Sequence, residues 1–112
     1  MFIKKCSCIV VCLLINNFIF SQCQADFQYT TNGLDVSLIN TSINAGSTLN
    51  SQTPTWDFGD GSPTVTGVNT INHTYQNSGI YNVCIDIFTW PTSWTTCSST
   101  YCDSVEINVN SL

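Results

Sequence analysis

Trp56-Asp57-Phe58-Gly59-Asp60-Gly61-Ser62 is the stretch on which the fold turns. An aromatic, a short acid and a second aromatic make a strand end, and Gly59, Asp60 and Gly61 then supply the chemistry of a sharp reversal. Gly adopts backbone conformations closed to other residues, and a short Asp carboxylate accepts the N–H groups of a turn. The run therefore marks a β-hairpin corner. Asp57 and Asp60 read as turn carboxylates, and a Ca²⁺ site is the competing reading, because hard oxygen ligands suit an acidic domain. The kinase metal triplet Asp57-Phe58-Gly59 has no other kinase element beside it, since residues 23–112 contain no Lys.

Short runs of period two recur on both sides of this corner, at 27–31, 34–40, 55–58, 68–75, 79–88 and 101–110. Gly, Asn, Ser, Thr or Pro bound each of them, and a sustained helical period is missing. Strands at this spacing without intervening helices predict an antiparallel sandwich. In the fifth run Tyr81, Val83, Ile85 and Ile87 share one face, so Asn82, Cys84, Asp86 and Phe88 share the other. In the last run Val105, Ile107 and Val109 point inward, which sends Cys102, Ser104 and Glu106 outward. Cys84 and Cys102 thus occupy one outer face and are expected to pair, closing a loop that contributes roughly 3 kcal/mol by chain entropy. Cys23 and Cys97 remain for a second bridge.

His73-Thr74-Tyr75 and Gly79-Ile80-Tyr81-Asn82-Val83 follow the corner. In that order and spacing, the three blocks resemble the PKD family, the polycystin-type immunoglobulin-like modules common in secreted bacterial proteins. The resemblance spans residues 25–109. It implies an all-β, immunoglobulin-like antiparallel sandwich of about seven strands. Trp56, Asp57, Phe58, Gly59, Asp60, Gly61, His73, Tyr75, Gly79, Tyr81 and Val83 are its structural motif positions. Trp56 matches the core Trp of immunoglobulin domains and Tyr81 their corner Tyr. Val83 stands where antibody domains place a core Cys, so a hydrophobic core with outer disulfides is expected. In such a sandwich the first strand can run parallel to the last, which brings Cys23 towards Cys97.

Residues 1–22 read as a secretory signal peptide, with Lys4 and Lys5 ahead of an interrupted apolar run that is too short for a confident span. The domain then occupies residues 23–112. Cleavage after Gln22 keeps Cys23, cleavage after Ala25 removes it, and a lipoprotein anchor on Cys23 is a further alternative despite a poor lipobox at Phe20, Ser21 and Gln22. The expected location is secreted or cell-surface, with no membrane insertion after cleavage. Loss of the leader removes Lys4 and Lys5, the only cations, and leaves seven acids. Without Lys or Arg the domain is not expected to bind nucleic acid, whose recognition depends on cationic side chains. A salt bridge can form only through His73 or the amino terminus.

His73 is the single imidazole; its place in the His-Thr-Tyr block implies, through the resemblance, that it packs or hydrogen-bonds at a strand, and neither a metal pair nor a triad can be assembled around it. The loop Thr89-Trp90-Pro91-Thr92-Ser93-Trp94-Thr95-Thr96-Cys97 is the candidate binding element, with Trp90, Trp94 and Tyr101 as ligand residues. Exposed aromatic faces in a constrained loop can stack on sugar rings or anchor a protein contact; the competing reading folds both Trp rings over the sheet. The chain is expected to be a non-enzymatic module for adhesion, spacing or contact with extracellular protein or polysaccharide, without a cofactor. A carbohydrate-binding accessory module of a secreted hydrolase, using Trp90 and Trp94, is the alternative. The sequence does not set the oligomeric state.

Overall fold

The computed structural model describes residues 23–43, 52–89 and 97–110, with the backbone alone for Gln52, Thr89 and Cys97. Seven strands follow in chain order: β1 (Phe27–Asn32), β2 (Asp35–Asn40), β3 (Gln52–Asp57), β4 (Val65–Thr66), β5 (Thr70–Thr74), β6 (Gly79–Thr89) and β7 (Cys97–Ile107). They form two sheets, ordered β1-β2-β5 and β4-β3-β6-β7. Every pairing within a sheet is antiparallel. The expected all-β sandwich is thus the fold. The expected signal peptide, residues 1–22, lies outside the described residues.

Alternation along the strands builds the core. Val36 and Leu38 are buried on β2 while Asp35 and Ile39 face out, and Val83, Ile85 and Ile87 are buried on β6. Val105 and Ile107 add β7, and Phe27, Trp56, Phe58 and Tyr75 fill the space between the sheets. Branched side chains fit this pleated surface, and each contributes roughly 1.5–3 kcal/mol when fully buried. The Gly33 turn between β1 and β2 has φ 63°, the left-handed conformation a tight hairpin demands.

Several boundaries differ from the sequence reading. The last strand spans Cys97–Ile107, not 101–110, because Ser98, Ser99 and Thr100 pair with Phe88, Ile87 and Asp86. Polar residues that look turn-like locally are recruited by a partner strand already in place. Val109, expected to point inward, lies beyond the strand and is 47% exposed. β3 begins at Gln52, ahead of the expected 55, and passes through Pro54 without losing a bond to β6. The Pro54 carbonyl accepts the Gly67 N–H at 2.8 Å, so its missing N–H lies on that same side, away from β6. The expected 68–75 run shortens to Thr70–Thr74, while Val65–Thr66 forms a separate small strand against Thr55 and Trp56.

Candidate functional site

The motif corner closes one end of the sandwich. Trp56 is fully buried on β3, edge-on to Phe27 at 5.7 Å between centroids, and its Nε1–H donates to the Val68 carbonyl at 2.8 Å. Asp57 Oδ1 accepts the Gly59 N–H at 2.9 Å. Gly59 has φ 75°, and a Cβ there would collide with the Asn82 carbonyl oxygen. Only glycine satisfies both conditions. Gly61, at φ 82°, has open space around it.

Asp60 is the hub of the turn. Its Oδ1 accepts the Ser62 N–H at 3.1 Å and also the Ser62 hydroxyl, while Oδ2 lies 2.7 Å from His73 Nε2. Partial burial opposes ionisation of Asp60, but hydrogen bonds from the Ser62 side chain and His73, then the Ser62 backbone, outweigh it and hold the carboxyl at about 2. The His73 ring stacks flat on Phe58 at 3.9 Å and stands edge-on to Tyr75 at 4.7 Å. Tyr75 stacks on Tyr81 at 4.0 Å and donates its hydroxyl to the Phe58 carbonyl at 2.8 Å. Burial, with Asp60, Tyr81 and Asp57 nearby, pushes the Tyr75 phenol up. The Tyr81 hydroxyl donates to the Asn77 carbonyl at 2.8 Å, the tie expected of a corner tyrosine.

These contacts join the two sheets. His73 belongs to β5 and Tyr75 follows it, whereas Trp56 and Tyr81 belong to β3 and β6 of the other sheet. The expected turn role of Asp57 and Asp60 is present, and the pairing of His73 is with Asp60, which sequence spacing did not identify. Ser62, Asp60 and His73 bring together the residue types of a catalytic triad in the wrong order. In a triad the imidazole stands between hydroxyl and carboxylate; here the carboxylate stands between the other two, so no base faces Ser62 Oγ. A Ca²⁺ ion would have to displace donors already on both Asp60 oxygens and on Asp57 Oδ1. Groups of three or more potential metal ligands do not occur among the described residues.

On the outer face of the larger sheet, Cys84 and Cys102 are directly opposite and joined by a disulfide, as their phase indicates. The neighbouring Thr100 hydroxyl donates to Asp86 at 2.9 Å. Phe88 is 38% exposed on this face. Trp90 and Trp94 lie outside the described residues. Tyr101 is half-buried on the opposite face of β7, edge-on to Phe27 at 5.4 Å. Burial first, then Asp103, Asp26 and Tyr29, push its phenol up.

β1 and β7 approach each other along the margin of the sandwich. The Ala25 N–H donates to Ser99 Oγ at 3.0 Å, and Phe27 meets Tyr101 two residues further along both chains. The segments run in the same direction at a constant offset. Stepping back two residues on each aligns 23 with 97. Cys23 is disulfide-bonded, and the Cys97 side chain is outside the described atoms.

Comparison with known proteins agrees with this architecture. The family model described as PKD domain matches residues 23–101. Among solved structures, the PKD1 domain of Vibrio anguillarum Epp is 24% identical, with a TM-score of 0.66 over 79% of this chain and 95% of that one. The PKD1 domain from the Vibrio cholerae metalloprotease PrtV is also 24% identical, with a TM-score of 0.64 over 78% of this chain and 98% of that one. At this identity the likeness is one of fold. No curated protein matches the chain.

Proposed function

The chain belongs to the PKD domain family, and from that premise we propose that it is a non-catalytic extracellular module that spaces, adheres or contacts protein or polysaccharide. The observation that carries this reading is the motif corner. Its functional-looking groups, Asp57, Asp60, Ser62, His73, Tyr75 and Tyr81, are engaged in holding the turn and clipping the sheets together. What the fold leaves for recognition is its surface and its loops, and fold alone does not choose a ligand.

The binding loop between β6 and β7 carries Trp90 and Trp94, and we place the contact with protein or polysaccharide there. Two bridges stiffen its base: Cys84 with Cys102 on the sheet, and Cys23 with Cys97, which the 25-to-99 and 27-to-101 alignment supports. Ordering a loop beforehand lowers the entropy cost of binding. Residues 1–22 direct export, an oxidising compartment keeps both bridges, and no cofactor is required. The likeness to a PKD1 domain of a metalloprotease favours a second reading, a carbohydrate-binding accessory module on a secreted hydrolase.

Glycan-array and extracellular-matrix binding of the protein, alongside Trp90→Ala and Trp94→Ala, tests the proposal. Binding that falls at least tenfold in both variants, with unchanged melting, supports it. Melting that falls with no binding in any form assigns the Trp rings to covering the sheet. Non-reducing peptide mapping checks the bridges, and a Cys84–Cys97 link would overturn them.

A further inference from the structure

β7 ends its sheet, so one side of this eleven-residue strand has no strand beside it among the described residues. Which of its backbone groups face that side follows from the disulfide. Cys84 and Cys102 stand opposite with Cα atoms 4.0 Å apart, the close spacing of a non-hydrogen-bonded antiparallel pair. Cys102 therefore turns its N–H and C=O away from β6, and by the two-residue period Ser104 and Glu106 do the same. The leading segment lies against the first part of the strand, through Ala25 and Ser99. Among the described residues no strand pairs with the stretch from Cys102 to Glu106, where Cys102, Ser104 and Glu106 are exposed.

Long open edges invite indiscriminate pairing, and proteins blunt them with charge. Asp103 does so here. It sits on the inner face of the edge, partly buried opposite Val83, and its Oδ1 accepts the Ser104 N–H at 2.9 Å. Asp26 and the 39%-exposed Tyr29 lie on the neighbouring β1 side, close enough to Tyr101 to act on its phenol along with Asp103. Glu106 adds a third acid. Residues 23–112 contain no Lys or Arg, and the only His is bound to Asp60. A second copy would set like charges against each other. A strand carrying cations would meet uncompensated acids and tyrosine faces.

We propose that the β7 edge from Cys102 to Glu106 receives an extended, Lys- or Arg-bearing segment of a partner protein by strand addition. The added backbone takes up the outward N–H and C=O groups of Cys102, Ser104 and Glu106, with the Ser104 N–H released from Asp103. The Asp103 carboxylate, still holding the Tyr101 hydroxyl, then pairs with a cation of the incoming segment. Backbone bonds supply the docking and the acids supply selectivity, since neutral or acidic strands take the Ser104 N–H from Asp103 and return no cation to it.

The probe is a capped peptide alternating lysine and valine over roughly eight residues, a strand's length, with a glutamate–valine peptide as control. Residue-resolved amide exchange should slow at Cys102, Ser104 and Glu106 by roughly tenfold or more with the lysine peptide, and not with the control. Ser104→Pro removes an outward N–H that β6 does not use and should abolish binding while melting is kept. Asp103→Asn should weaken it roughly 3- to 10-fold. A lysine peptide N-methylated on its β7-facing amides keeps its charge and should fail to bind, a result independent of how any variant folds. Equal binding of both peptides, undiminished binding of the methylated one, protection scattered over the acidic surface, or self-pairing through β7 would each overturn the proposal.

Discussion

The motif corner and the β7 margin are both acidic and aromatic, yet they treat their carboxylates in opposite ways. Asp60 is surrounded by donors from Ser62 and by His73, and its ring neighbours are locked to each other across the two sheets. Asp26 takes the adjacent Phe27 N–H, and Asp103 takes the Ser104 N–H and the Tyr101 hydroxyl, but neither meets a cationic side chain. The same residue type is therefore structural at one end and available along the other. A conspicuous sequence motif marks where the fold is closed; the proposed recognition surfaces are ones the motif does not touch.

The largest effect that separates the regions is expected at the corner. Trp56→Ala empties a fully buried site and should cost about 3–5 kcal/mol in denaturant unfolding. Nothing comparable is expected from Tyr29→Ala at the margin, where the ring is half in water. Next comes the disulfide: Cys84→Ser with Cys102→Ser should cost about 3 kcal/mol, and it removes the staple nearest the open edge. Within the corner, Gly59→Ala meets the Asn82 carbonyl as well as an unfavourable φ and should cost about 2–3 kcal/mol, against about 1–2 for Gly61→Ala, where only φ opposes it. Equal costs at the two glycines would remove the argument for close packing of the turn on β6.

Smaller still is the pH dependence. Asp60 is lowered in the folded protein from 3.8 to about 2, so its contribution is complete above the ordinary carboxylate range and is lost as the pH falls through that interval. Asp60→Asn should flatten this acid limb of the stability curve.

Local chemistry made the corner legible from sequence. Gly59 and Gly61 permit the reversal, Asp57 and Asp60 satisfy N–H groups two residues ahead, and such interactions reach no further than the turn itself. Period two likewise placed Cys84 and Cys102 on one face, because phase along a strand needs no knowledge of the rest of the fold. The pairing of Asp60 with His73 was out of reach: it joins the turn after β3 to β5 in the other sheet, a relation set only when the sheets pack. The start of β7 was misread for the same reason, since Ser98, Ser99 and Thr100 become strand through their partners on β6. Of the margin formed by Asp26, Tyr29, Tyr101 and Asp103, the resemblance implied only that the first strand runs beside the last; which residues meet there is set only where the two sheets come together.

The division between closing corner and recognition surface is tested most directly by one paired measurement, the lysine–valine peptide affinity of Asp60→Asn and Ser104→Pro alongside their melting temperatures. The account predicts that Asp60→Asn melts lower and binds as the unaltered protein does, while Ser104→Pro keeps its melting temperature and loses the peptide. Loss of binding in Asp60→Asn with full binding in Ser104→Pro would contradict it, and would make the Trp56–Ser62 corner a recognition site after all.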